Sequence, residues 1–193
     1  NEHDAAKAFV IEEFNKLNLS FNILTPYGLA ELADHNQELL KRLMQEAPGT
    51  FNHSLTVSHM CENAAEAIGA NPVLARVGAM YHDIGKLQRP MFFVENQSFY
   101  GIDNPHNSCT PRFSKMLITA HPKDGLELAK DAHLPQVIHN FILQHHGTSL
   151  VSYFYNEALK EEGAENVNEE QFRYPGPKPN MKDTAILMIA DTT

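Results

Sequence analysis

The stretch Gly78-Ala79-Met80-Tyr81-His82-Asp83-Ile84-Gly85-Lys86 brings an apolar run to an adjacent His-Asp pair, with a glycine and a lysine close behind. Leu74, Val77 and Met80 recur at helical spacing, so the pair closes a helix. An imidazole beside a carboxylate is a natural core for a metal site, because the carboxylate has two oxygens and can bridge two cations.

Upstream, Asn71-Pro72 reads as the N-cap and first residue of this helix, and Gly69 closes the one before it. That earlier helix is expected from His53 or Ser54 to Ile68, with Leu55, Val57, Met60, Ala64 and Ile68 inward. Ala47-Pro48-Gly49-Thr50 reads as a turn ending a helix over 27–46, whose apolar face is Leu29, Leu32, Leu39, Leu40 and Leu43, with a break near 34–36. Residues 4–17 show helical spacing at Phe9, Val10, Phe14 and Leu17, and 19–25 are short and mixed.

Downstream, residues 87–113 are rich in Pro, Asn, Gly and aromatics and read as a long loop around a short helical turn, a length often tied to function. Helical spacing returns over 113–120, 122–132, 135–146 and 150–160. The acidic run 161–170 reads as a solvated loop, and Tyr174-Pro175-Gly176-Pro177-Lys178-Pro179 suits neither helix nor central strand. A last helix starts near Asn180 and carries Ala185, Ile186, Leu187, Ile189 and Ala190 up to Asp191. No segment alternates cleanly and none repeats. The fold class is all-α.

At 193 residues the chain suits one domain with a real core. No apolar run approaches the ~18 residues that cross a bilayer. Cys61 and Cys109 lie far apart without a partner motif, which fits a reducing compartment. The net charge of −9 argues against binding DNA or RNA polymers. It does not exclude a small anion, since two divalent ions add roughly four local positive charges. Asn1 in place of Met, and Asp191-Thr192-Thr193 ending inside a helical pattern, lead us to expect a piece of a longer chain.

The outlier is 11 histidines. His53 opens an expected helix, His82 and Asp83 close one, and His121 precedes a proline-started one. His145-His146 close another, and Asp191 comes late in the last. Taken singly, a histidine is more often a packed or surface residue than a ligand. Together, at helix ends of one all-helical domain, these residues suit a mixed nitrogen and oxygen site for iron, manganese or zinc rather than magnesium or calcium.

The order His53, His82-Asp83, His121, His145-His146, Asp191 resembles the HD-domain metal-dependent phosphohydrolase superfamily. Four stretches narrow the resemblance: Glu46-Ala47-Pro48-Gly49-Thr50-Phe51-Asn52-His53-Ser54-Leu55, Tyr81-His82-Asp83-Ile84-Gly85-Lys86, Gln144-His145-His146-Gly147-Thr148, and Phe172-Arg173-Tyr174-Pro175-Gly176-Pro177-Lys178-Pro179. They look like the cytoplasmic HD domain of bacterial seven-transmembrane receptors, over roughly residues 25–193. That resemblance implies an HD-domain helical bundle with a metal site between helix ends. It also implies hydrolysis of the second messenger cyclic di-AMP to linear pApA. The related cyclic di-GMP enzymes carry an HHE element and a later Gly-Tyr-Pro signature; Gly147-Thr148 follows the double histidine here.

Residue by residue, the resemblance implies two divalent transition-metal ions, iron or manganese first, sharing Asp83. One takes His53, His82 and Asp191; the other takes His121, His145 and His146. Two ions about 3.5–4 Å apart neutralise a phosphodiester and lower the pKa of water from about 15.7 towards ~7. Lys86 is the candidate for a phosphate-oxygen contact, beside Asp83 in the catalytic set, against the plainer reading of an exposed lysine at a helix C-terminus. Arg89 is a second, weaker candidate. Tyr153 and Tyr174 are candidates to stack on a base, against core packing, and Arg173 and Lys178 are placed near the mouth of the site. His106, in Asn104-Pro105-His106, can approach the cleft from the long loop.

Residues 1–193 are therefore expected to form a single HD domain, with 1–25 leading from an absent membrane part. The fragment is expected at the cytoplasmic face of the bacterial membrane, with oligomeric state open. Two rivals stand beside the cyclic di-AMP phosphodiesterase. One is an HD phosphohydrolase acting on another nucleotide, cyclic di-GMP or guanosine tetraphosphate. The other is a nucleotide-sensing module without turnover.

Overall fold

The structure, a computed structural model, describes Phe9 and residues 25–193. The helix expected over 4–17 and the mixed segment after it lie, apart from Phe9 and Thr25, outside the described residues. Among those described, the regular structure is helical, and Leu150 and Arg173 form an isolated antiparallel bridge.

The helices are α1 (Pro26–Leu32), α2 (Glu38–Glu46), α3 (Pro48–Ala67), α4 (Pro72–Tyr81), α5 (Val94–Tyr100), α6 (Pro111–Thr119), α7 (His121–Asp131), α8 (Gln136–Gln144), α9 (Ser152–Glu162) and α10 (Lys182–Ala190). Short 3-10 turns at Ile84–Gln88, Pro90–Phe92, Pro105–Ser108 and Glu169–Phe172 fill the connections. The break expected near 34–36 separates α1 from α2. Among the described residues no helix is long and apolar enough to cross a membrane.

Local chemistry sets most boundaries. Thr25, Asn71 and Thr110 cap α1, α4 and α6 by accepting from the N–H of Gly28, Leu74 and Phe113, and a proline follows each cap at the first helical position. Gly69, with φ +66, terminates the α3 segment in the left-handed region that glycine adopts without cost.

The expected turn at 47–50 is instead the start of α3, because Pro48 takes the first helical position. His53 consequently sits in the second turn of that helix, not at its opening. The buried stripe also differs from expectation: Met60 and Ile68 are exposed, while Phe51, Ser54, Val57, Ser58, Cys61 and Ala65 face inward. These smaller side chains let α4 lie close, with Ala75 and Ala79 buried against them. Ile189 of α10 is likewise exposed. Residues 87–113 are more helical than expected: α5 and three of the 3-10 turns lie wholly or partly within them.

Two apolar clusters hold the bundle. One joins Leu40 and Leu43 of α2 to Val77, Met80, Ile84, Ile138 and Ile142. The other joins Val57, Cys61, Ala75 and Ala79 to Phe141 of α8 and Leu187 of α10. Gly78 lies between them with no room for a side chain; a Cβ there would stand 2.4 Å from the Phe141 ring. The ends of α4, α8 and α10 meet at one level as a result, with the start of α7 beside them.

Candidate metal centre

At that level the structure brings together all seven expected ligands. His121, His145 and His146 form one group and His53, His82, Asp83 and Asp191 another, the donor atoms of each group lying within 4.8 Å of one another. His82, Asp83, His121 and His145 are buried, and the Asp191 side chain is 7% exposed.

Asp83 faces both groups. Its Oδ2 lies 3.2 Å from Nε2 of His82, and its Oδ1 lies 3.2 and 3.6 Å from Nε2 of His121 and His145. Asp191 Oδ1 stands 2.9 Å from His53 Nε2 and 3.2 Å from His82 Nε2, and its Oδ2 stands 3.6 Å from His146 Nδ1.

Three imidazoles are set by the same device. The Nδ1 of His82, His121 and His145 donates to the carbonyl three residues earlier, Ala79, Ile118 and Ile142, at 2.7, 2.7 and 2.8 Å. A carbonyl only accepts, so each Nδ1 carries a hydrogen, and a ring without a second proton presents a lone pair at Nε2. This is how metal-bound histidines are commonly oriented. Nε2 of His121 and Nε2 of His145 then face each other at 3.0 Å with no hydrogen between them. Asp83 Oδ1 is buried without a donor. Facing lone pairs and an orphaned carboxylate oxygen are both relieved by a cation, so the donor set fits the group it is expected to hold.

The electrostatics agree. Burial raises the Asp83 carboxyl, but the charges of His82 and Lys86 outweigh it and hold it well below its ordinary range. Burial lowers His82, but Asp83 and the bond to Asp191 outweigh burial and lift it to about 10. The two carboxylates demand positive charge between them, whether proton or metal. His145 and His146 are pushed down by burial and by neighbouring imidazoles, which keeps their lone pairs free.

Backbone contact fixes the spacing. A Cβ on Gly85 would lie 1.9 Å from the His121 carbonyl oxygen and 2.5 Å from the Gly125 nitrogen. Only glycine lets the turn after Asp83 touch the first turn of α7, and that contact sets His121 beside Asp83. Tyr174, 8% exposed, stacks on His146 with ring centroids 4.1 Å apart and 28° between planes.

Lys86 is no exposed helix-end lysine. Its ammonium stands 2.8 Å from Asp83 Oδ2 and 2.8 Å from Glu95 Oε1, and lies 4.9 Å from the centre of the Phe93 ring. Two of its three N–H donors are thus occupied. Glu95 also accepts from the Thr50 hydroxyl at 2.8 Å. Sequence reasoning missed Glu95: the loop around it has no periodicity, and its role depends on α5 lying against α3. Gly49 makes that approach, since a Cβ there would stand 1.9 Å from the Glu95 carbonyl oxygen. Asn96 ties the two helices further, accepting from Thr50 N and donating to Thr50 Oγ1.

The expected substrate contacts are placed less uniformly. Arg89 pairs with Asp124 of α7. Arg173 donates to the Thr148 carbonyl and pairs with Glu169, bracing the loop after the double histidine. Lys178 is exposed, and Tyr174 spends one face on His146. Tyr153 is 68% exposed beside a separate cavity.

Comparison with known proteins places the chain in a family. The family described as the HD domain matches residues 50–193. The chain is 44% identical over 188 residues to the cyclic-di-AMP phosphodiesterase PgpH of Bacillus subtilis (strain 168), covering 97% of this chain and 26% of that protein. It is 49% identical over 172 residues to the protein of the same name from Listeria monocytogenes serotype 1/2a (strain 10403S), covering 89% and 23%. The crystal structure of the L. monocytogenes PgpH HD domain in complex with cyclic di-AMP superposes with a TM-score of 0.77 at 49% identity, over 82% of this chain and 72% of that one. The chain therefore spans about a quarter of the length of the curated relatives it matches.

Proposed function

We infer the function from one premise: the chain belongs to the HD-domain family, matched over three quarters of its length. It hydrolyses cyclic di-AMP to linear pApA. The observation that carries this reading is Asp83, whose two oxygens face two separate histidine groups across a buried centre. The relatives named for the same activity support it.

His53, His82, Asp83 and Asp191 would hold one divalent ion, and Asp83, His121, His145 and His146 the other. Iron or manganese suits this nitrogen-rich set. When bound, the ions supply Lewis acidity, neutralising a phosphodiester and acidifying water at neutral pH.

The chain's own residues do the positioning. The Ala79, Ile118 and Ile142 carbonyls hold three rings with Nε2 inward. Tyr174 fixes the plane of His146. Lys86, gripped by Asp83 and Glu95, keeps one N–H for a phosphate oxygen, a placed charge that opposes the anion's repulsion of an incoming nucleophile. In-line attack of a water oxygen at phosphorus forms one P–O bond and breaks the bond to the 3′ oxygen, which takes a proton and leaves as the 3′ hydroxyl, opening the ring.

Residues 26–193 act as the HD domain, and 1–25 connect it to a membrane part of the longer protein, with the domain at the cytoplasmic face. Metal-loaded protein assayed by chromatography against cyclic di-AMP, cyclic di-GMP and guanosine tetraphosphate tests the reading. The expected product is pApA from the first. No pApA with iron, manganese or cobalt overturns the proposal, and tight cyclic di-AMP binding without turnover replaces it with a sensor.

A further inference from the structure

We propose that Gln144 is a positioning residue that sets the separation of the two ligand groups, by fixing the turn that carries His145 and His146 against α10. The assignment rests on the two-metal reading above and is independent of which nucleotide is cleaved.

The ligand-bearing helices are joined in two different ways. α4 and α10 run side by side in the same direction. The Asn71 N–H donates to Asp183 Oδ1 at 3.0 Å where both begin, and His82 Nε2 meets Asp191 Oδ1 at 3.2 Å where both end. These two contacts hold His82, Asp83 and Asp191 in one frame. His145 and His146 arrive on a third helix, α8, and need their own tie to that frame.

Gln144 supplies it. It is buried, ends α8, and directly precedes the two histidines. Its Oε1 accepts from the fully buried Thr184 hydroxyl at 2.9 Å and from the Asn180 N–H at 3.1 Å. A backbone N–H only donates, so the atom facing Asn180 is the amide oxygen, and both of its lone pairs are filled.

The tie lies on the same face of α10 as the ligand. Thr184, Met188 and Asp191 recur at i, i+4 and i+7, which is one stripe of a helix. The turn after α8 runs along that stripe. Thr184 bonds to Gln144, a Cβ on Gly147 would stand 3.2 Å from Met188 Cε, and Asp191 Oδ2 lies 3.6 Å from His146 Nδ1. The contact with Met188 is apolar and has no preferred direction, whereas the two hydrogen bonds at Gln144 do, so they set the register. A slip of one residue along α10 moves Asp191 by about 1.5 Å, against a tolerance of about 0.2 Å in a metal–ligand distance. Packing alone does not call for an amide at this place. A methionine fills similar space, and Thr184 has the Met181 carbonyl at 3.2 Å as a second acceptor.

The test uses Gln144→Met and Thr184→Val, which remove the two sides of the tie at nearly constant volume, and Thr184→Ser, which keeps the hydroxyl. Each protein is stripped with a chelator and titrated with Mn²⁺ by calorimetry, and the bound ions are followed by electron paramagnetic resonance. The unaltered protein is expected to bind two ions with the spectrum of a coupled pair. In Gln144→Met and in Thr184→Val the weaker ion should bind about tenfold less tightly or worse, and the signal of isolated Mn²⁺ should grow at equal occupancy. Thr184→Ser should restore both, and the double variant should lose little more than the worse single one. Either single variant reads the tie should the other fail to fold. A lower denaturation midpoint with unchanged Mn²⁺ affinities and an unchanged pair spectrum would mean that Gln144 only packs, and overturns the assignment; additive losses in the double variant overturn it too. Weakened second-ion binding in the variants, with no cleavage of cyclic di-AMP by the unaltered protein, supports the assignment and overturns the proposed function. Fewer than two ions in the unaltered protein overturns both.

Discussion

The Lys86 ammonium stands 2.8 Å from Oδ2 of Asp83, the carboxylate whose other oxygen faces His121 and His145. One buried aspartate is thus shared between a fixed cation and two sets of imidazoles. Glu95 holds the lysine from the opposite side at the same distance. The centre is consequently sensitive to changes at residues that are themselves no ligands.

Asp83→Ala removes the atom pair that both groups share. Metal content should fall for both ions together, and pApA formation should drop by about a thousandfold or more. Elemental analysis beside the chromatographic assay checks this. Full metal content in the variant would show that Asp83 does not bridge.

Glu95→Gln keeps the shape and removes the charge that anchors Lys86. A hydrogen bond to a charged group contributes roughly 1.5–3 kcal/mol, so kcat should fall about 10- to 100-fold with metal content retained. Lys86→Met should give at least the same loss, and the double variant should add little to it, because the glutamate acts through the lysine. An additive double variant would separate the two roles.

Glu95 also fixes a pH dependence. Burial raises its carboxyl, but Lys86 outweighs burial and holds it below its ordinary 4.5. A carboxylate with a lowered folded pKa contributes stability that is fully present above its unfolded value. That contribution is lost as the pH falls below 4.5 through the folded value. Denaturation midpoints between about pH 3 and 6 should therefore fall more steeply in the unaltered protein than in Glu95→Gln. Parallel curves would contradict this.

Gly85→Ala inserts a methyl group where the His121 carbonyl and Gly125 nitrogen already stand, 1.9 and 2.5 Å from the Cβ position. Both neighbours are backbone, so α7 must move. A destabilisation of about 3 kcal/mol or more is expected, together with loss of metal from the His121 group. Urea denaturation and metal stoichiometry read the two effects. A stable variant with both ions in place would show that this contact does not set the spacing.

What could be read from the chain alone shares one property: it is local. Asn71-Pro72 caps and starts a helix through its own side chain and ring, and Gly69 ends one through its own backbone freedom. His82-Asp83 and His145-His146 are adjacent in sequence, and helical periodicity alone places them at helix ends. Pro48 misled for the same reason, since proline serves a turn or a first helical position equally well, and packing against α5 chooses between them.

The tertiary structure decided everything that depends on two backbones meeting. Glu95 reaches Lys86 because Gly49 admits α5 against α3, and His121 reaches Asp83 because Gly85 admits α7. Ser114 and His106 line one cavity only because α6 and the 105–108 turn close on α9. The all-helical class and the ligand types follow from the order of residues alone, because they are properties of residues and their near neighbours. The sharing of Asp83 and the grip on Lys86 were set by close packing between distant segments, where a single methyl group is the difference between contact and collision.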